Sequence, residues 1–284
     1  MKISNSHSKI LLLLLVLTIT LASCAKDSLD AVRAKLPPEF QYLAGIFDGD
    51  GVGSGFTMGP VTILFNLNGD KYAWVEDGVI RDVRTLNDSL SLFQDDVLES
   101  VGAVMVSFPK YVYLFDRNGS RFVEADLDAR IAYGQWDNPN FFSFNTKKFT
   151  LRDWSNKDSS PFSTIGAIWC AKTDRNCGPY TLNSSTYLMS NGSGNLFTDY
   201  NGFTGKFGAV EFVNQYEMYE CGNLNEENDG VKTNLLPLTN IDAVIDYLGP
   251  DQKLKGELFF FSEGKQFGYN EFGTGSFKGP YDLY

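Results

Sequence analysis

From about residue 41 onward, apolar residues occur in short runs broken by Gly, Asn and Asp. Runs rich in aromatic and β-branched residues between turn-forming clusters predict strands rather than long helices. Four segments share one plan: TILFNLNGDKYAWVE (62–76), VYLFDRNGSRFVEAD (112–126), TYLMSNGSGNLFTDY (186–200) and LFFFSEGKQFGYNE (258–271). In each, an apolar pair is followed three or four positions later by a glycine (Gly69, Gly119, Gly192, Gly264), and then by an aromatic return. That order predicts a β-hairpin whose glycine takes the positive-φ turn position.

A second element lies upstream of each hairpin. SVGAVMV (100–106), TIGAIW (164–169) and NIDAVID (240–246) each place a small residue, Ala103, Ala167 or Ala243, between apolar neighbours. GSGF (53–56) holds the corresponding place before the first hairpin, with Gly55 in the small-residue role. Strands with small centres suit close packing around an axis, where the innermost strands of a propeller converge. FGAVEFVNQYEMYE (207–220) has no such hairpin after it and reads as added outer strands of the third unit, or as an irregular fifth one. Two stretches also carry helical spacing: LSLFQDDVLES (90–100), and NIDAVIDYL (240–248) through Ile241, Val244, Ile245 and Leu248.

The stretch LPLTNIDAV…LFFFSEGKQFGYNE resembles a blade of the hemopexin-like repeat: a Pro lead-in, an Asp-Ala inner strand, an aromatic-Phe-x-Gly hairpin and a Tyr return. The resemblance implies an all-β, four-bladed β-propeller over residues 45–284. Only the fourth copy keeps Asp242-Ala243, and Phe65, Phe115, Met189 and Phe261 are 50, 74 and 72 residues apart, so blades two and three carry insertions. The family's disulfide between first and last blades has no cysteine pair here. A β-sandwich is the competing architecture. The resemblance also implies a central channel able to hold a calcium or sodium ion on backbone oxygens near Gly55, Ala103, Ala167 and Ala243. A channel filled by side chains and water is the alternative.

The N-terminus changes the picture from fold to address. A basic start (Lys2, Lys9) leads into an apolar run too short to span a bilayer, the pattern of an export signal over residues 1–23. It ends in LASC, which resembles the bacterial lipobox and makes Cys24 the residue that would carry lipid. Ala25 after that cysteine fits sorting to the outer membrane, and Lys26-Asp27 is similar to surface-export signals. The expectation is an envelope lipoprotein, periplasmic or surface-exposed, with residues 24–44, polar and holding Pro37-Pro38, as a tether.

Composition then excludes chemistry. The only histidine, His7, lies in the leader, so the mature chain has no Ser-His-Asp triad, Cys-His pair or histidine-held zinc or haem. Loss of Lys2 and Lys9 takes the formal charge from −11 to −13, which argues against nucleic acid and anionic headgroups. Cationic or neutral partners remain: a protein, a glycan or a small molecule. Cys170 and Cys177 flank a polar loop and suit a disulfide in an oxidising compartment, while a bridge from either to Cys221 stays open.

FDGDGVGSGF (47–56) begins like a calcium loop, but Val52 and Gly59 occupy positions that need oxygen ligands. Its glycine spacing is not that of a phosphate-binding loop either. Acid pairs such as Asp95-Asp96 and Asp126-Asp128 invite a glycosidase reading, yet acids beside turns are usually solvated. Trp136, Phe141, Phe142 and Trp154 sit among turn residues, where aromatics stack on sugars, dock a partner or pack an inserted strand. The reading is a non-catalytic binding protein without a side-chain metal site, with a glycan-binding or glycan-degrading lipoprotein as runner-up.

Overall fold

The computed structural model describes residues 28–58, 61–88, 98–107, 111–117, 121–126, 150–153, 161–170, 186–201, 206–220, 231–248, 254–271 and 276–284. Four antiparallel meanders dominate it. The first is β1 (Val52–Met58), β2 (Val61–Asn66), β3 (Lys71–Glu76) and β4 (Val79–Thr85). The second is β5 (Ala103–Ser107), β6 (Tyr111–Phe115), β7 (Arg121–Asp126) and β8 (Thr150–Asp153). The third is β9 (Ile165–Cys170), β10 (Thr186–Asn191), β11 (Leu196–Asn201) and β12 (Lys206–Phe212). A separate hairpin, β13 (Glu217–Glu220) with β14 (Val231–Leu235), precedes the fourth: β15 (Ala243–Leu248), β16 (Leu254–Phe261), β17 (Gln266–Glu271) and β18 (Phe277–Asp282).

The first strands of the four sheets touch in a closed cycle, β1 to β5, β5 to β9, β9 to β15 and β15 back to β1. Four four-stranded sheets sharing one axis through their first strands are the blades of a four-bladed β-propeller. All four hairpins read from the sequence are the central strand pairs, and all four upstream elements are the inner strands. In the third hairpin the positive-φ glycine is Gly194 (φ 69°), two residues beyond Gly192. Gly119 lies outside the described residues.

Residues 240–248 show why a helical reading arises there. Val244 packs with Phe259 and Trp169 against the third blade, whereas Ile245 packs with Leu258 and Leu64 towards the first. A strand buried on both faces loses polar alternation, and its apolar run then fits helical spacing as well. Of 90–100, residues 98–100 are described and are not helical. β12 is the outer strand of blade three, as read from 207–220. Glu217–Glu220 instead leaves that sheet and pairs with β14, without building a full fifth blade.

Two devices recur around the ring. The hairpin turn of one blade accepts the backbone amide that begins the next: Val101 N–H to Gly69 O at 2.8 Å, Ile241 to Gly194 at 2.9 Å, and Val52 to Gly264 at 2.9 Å. Each of these glycines has positive φ (74°, 69° and 66°), and a Cβ there would run into the next blade's backbone. After the outer strand, a buried apolar residue returns its amide to the turn of its own blade: Leu86 to Asp70 O, Val213 to Asn195 O and Leu283 to Lys265 O, at 2.8–3.0 Å. The apolar body is then four interblade cores, one between each adjacent pair.

Residues 36–44 of the stretch 24–44, expected as a tether, are packed into the folded body. Leu36, Phe40, Leu43 and Ala44 are buried in the core between blades four and one. Phe40 meets Tyr247, Phe267 and Tyr269 edge-on at 5.0–5.5 Å. Gly45 N–H donates to Leu283 O at 2.8 Å, the Tyr284 hydroxyl donates to Ile46 O, and Gly51 N–H donates to the same hydroxyl at 3.2 Å. Ring closure therefore uses residues 36–51 packed against the fourth blade and residues 283–284, and among the described residues no strand is exchanged between blades.

Candidate binding site at the propeller axis

The small residue of each inner strand belongs to a β-bulge. In the fourth blade the Asp242 amide donates to Phe260 O at 2.7 Å although Ala243 is the register partner of Phe260, so two residues oppose one. Gly102-Ala103 stands the same way against Phe115, with Gly102 N–H to Phe115 O at 2.8 Å. Register shifts in blades one and three place Gly53-Ser54 opposite Phe65, and Gly166-Ala167 beside Ser190, whose Oγ accepts the Ala167 amide at 2.7 Å. Blade one's equivalent of the alanines is thus Ser54, and Gly55 lies one residue further along.

That shift separates residues grouped together from sequence. Ala103, Ala167 and Ala243 face three different interblade cores, while Gly55 lines a cavity on the axis. The glycines preceding the small residues are there for clearance. A Cβ on Gly102 would sit 2.6 Å from Arg117 Cα, and one on Gly53 would sit 2.8 Å from Leu67 Cα. Blade four has Asp242 at this place, and its Oδ2 accepts the Gly264 amide at 2.8 Å, tying bulge to hairpin turn.

The cavity, of about 40 Å³, lies beyond the bulges towards the far ends of the inner strands. β1 contributes Gly55 to Thr57, β5 Val104 to Val106, β9 Ile168 and Trp169, and β15 Val244 to Asp246, with Tyr187 from β10. Its wall is mainly aliphatic and aromatic, with Asp246 as the one acidic residue in it. Thr57 Oγ1 donates to Asp246 O at 2.6 Å, so in the 2.9 Å contact between the hydroxyls of Thr57 and Thr62 it is Thr62 that donates. Behind Asp246, Glu257 on β16 and Asn270 on β17 stand in register with it, and both are 0% exposed. Neither polar atom of the Asn270 amide has a hydrogen-bond partner among the described residues, and the same is true of the buried Trp169 Nε1.

The opposite end of the axis is polar. Asp50 and Lys71 pair at 2.7 Å, and the Lys71 ammonium draws the Asp50 carboxyl below its ordinary range. Asn66 Nδ2 donates to Asp70 at 2.8 Å, while its Oδ1 accepts the Lys71 amide at 2.9 Å. Burial raises Asp242, and Arg117, from the blade opposite, offsets part of that rise. Asp50 of the Gly-rich stretch 47–56 is therefore a partner of Lys71, and among the described residues no group of three or more His, Cys, Asp or Glu is arranged to hold a metal ion.

Several sequence candidates fall elsewhere. Cys24, Cys177, Cys221, Trp136, Phe141, Phe142, Trp154, Asp95, Asp96 and Asp128 lie outside the described residues. Cys170 ends β9, and Asp126 ends β7. Sequence reasoning missed Asp246, Glu257 and Asn270. The acid within the apolar strand AVIDYL, Asp246, was a visible signal, but only cross-strand register brings the three into one row.

No family model matches the chain, and no curated protein matches it. Solved structures do, the following three at 8% identity. Kuenenia stuttgartiensis hydrazine synthase is matched over 82% of this chain and 49% of that one, with a TM-score of 0.30. A nidogen/laminin complex is matched over 81% and 80%, with a TM-score of 0.43. The WD40 repeats of RRP9 are matched over 81% and 50%, with a TM-score of 0.30. The chain thus spans about half the length of the hydrazine synthase and RRP9 chains.

Proposed function

We propose that this propeller is a non-catalytic, lipid-anchored binding protein of a bacterial cell envelope, built from degenerate hemopexin-like blades. The observation that supports the binding role is the axial cavity, lined by residues of all four blades where the centre of a propeller can hold a ligand. The absence of histidine after residue 7 supports binding over general acid-base catalysis. The LASC sequence and the exported leader support the anchor, and the recurrent Gly-Ala, Gly-Ser or Asp-Ala bulge supports common descent of the blades.

Two measurements test this reading separately. Fatty-acid labelling and membrane fractionation of wild type and Cys24→Ser address the anchor; labelled, membrane-bound Cys24→Ser would end that part. Native mass spectrometry of the chain isolated from its own envelope addresses binding. Wild type is expected to carry a small ligand that Val106→Phe, which fills the cavity, does not. Identical spectra with no bound species would refute the site.

A further inference from the structure

We propose that the seam between blades four and one is the membrane-facing side of the propeller, with blades two and three turned away from the bilayer. The inference rests on the reading of Cys24 as the lipid-bearing residue and adds the orientation that such an anchor imposes. The first observation is where the chain becomes fixed to the body. Residues 28–33 are helical, and the next turn continues them: the Ala34 amide donates to Asp30 O at 3.0 Å and the Lys35 amide to Val32 O at 2.9 Å. Leu29 and Val32 pack against the core of that seam, as do Ile80 on β4 and Tyr281 on β18, the outer strands of blades one and four. Leu29 also lies so close to Gly45 that a Cβ there would meet its Cδ1 at 2.5 Å. The chain is therefore tied to the rim of the seam from residue 29 onward, well ahead of Phe40.

The second observation is length. Cys24 and Ser28 are four residues apart, and four fully extended residues reach at most about 14 Å. A compact body of residues 28–284 has a radius of gyration of roughly 18 Å, which corresponds to a sphere of about 23 Å radius. A tie shorter than the body's own radius keeps the side it is attached to towards the anchor. Charge agrees. Residues 26–35 hold Lys26, Arg33 and Lys35 against Asp27 and Asp30, a formal +1 within a mature chain of −13. An anionic lipid surface repels the acidic remainder of the chain and repels this stretch least.

Photocrosslinking to lipid reads this orientation. A benzophenone amino acid is placed at the exposed Ala31 or Lys35 on the seam side, or at the exposed Lys206 or Glu211 on β12, the outer strand of blade three. Each full chain is expressed in its own envelope, and lipid adducts are measured by mass on the membrane-bound fraction. Adducts at Ala31 and Lys35 should exceed those at Lys206 and Glu211 at least about tenfold. A Gly-Ser insertion of about 20 residues between Asp27 and Ser28 lengthens the tie about sixfold. It should leave the chain in the membrane fraction while adducts at Ala31 and Lys35 fall roughly tenfold. All four probe sites are exposed, two on each side, and thermal melts confirm that each variant folds. Equal adducts on both sides, no adducts on the seam side of a membrane-bound chain, or seam-side adducts unchanged by the insertion overturns the proposal. A wild type without fatty acid, found outside the membrane fraction, ends the anchor reading and this inference together. A lipidated, membrane-bound chain that crosslinks through β12 ends the orientation alone and leaves the anchor standing.

Discussion

Replacing Gly264 by alanine tests how the blades are joined. Gly264 has φ 66°, and its carbonyl accepts the Val52 amide at 2.9 Å across the closure between blades four and one. Two costs follow for alanine. The left-handed backbone costs a non-glycine residue roughly 1–2 kcal/mol. The added Cβ meets the Val52 backbone, so the turn must withdraw and lose a hydrogen bond worth about 1 kcal/mol. The sum is about 2–3 kcal/mol, or a melting temperature lower by roughly 4–12 °C for a domain of this size. Gly78 is the control. It has φ 70°, yet its nearest neighbour to an added Cβ is Tyr42 Cδ1 at 3.8 Å. Gly78→Ala should therefore show only the backbone cost, about 1–2 kcal/mol. Urea and thermal unfolding of both variants decide the matter. Equal losses would refute the claim that close approach between blades, rather than turn conformation, fixes the repeat glycine.

Phe40→Ala should cost about 3–5 kcal/mol by urea unfolding, because a buried ring among three aromatic neighbours is removed; a loss below 1 kcal/mol would return residues 36–44 to the status of a tether. Tyr284→Phe should cost about 1–2 kcal/mol through its bonds to Ile46 and Gly51, and an unchanged urea midpoint would show that the C-terminal hydroxyl does not close the ring. Asp242 has a folded-state pKa raised chiefly by burial, so its charged form is the disfavoured one. Its contribution is most favourable below the unfolded value of 3.8 and is lost as pH rises towards the folded value. Asp242→Asn keeps an acceptor for Gly264, so its stability relative to wild type should improve from pH 3.5 to pH 7; parallel melting curves over that range would contradict this.

Much of the architecture was legible along the chain because each blade repeats the same local demands. An apolar pair, a turn glycine and an aromatic return specify a hairpin, and a small residue between apolar neighbours specifies a strand packed near an axis. Those demands are met within a few residues of one another, so sequence spacing carries them. Which small residue belongs to the ring was not legible in blade one. Gly55 and Ser54 are both small, and only the β-bulge opposite Phe65 selects Ser54. The folded role of Leu36 to Phe47 was likewise hidden, since its partners are at the far end of the chain. The row of Asp246, Glu257 and Asn270 depends on register between three strands, and the axial cavity on residues from all four blades. Sequence by itself determined the repeated strands and turns, whose causes are local. Tertiary structure decided the closure and the cavity, because both are made by side chains that meet only when the last blade packs against the first.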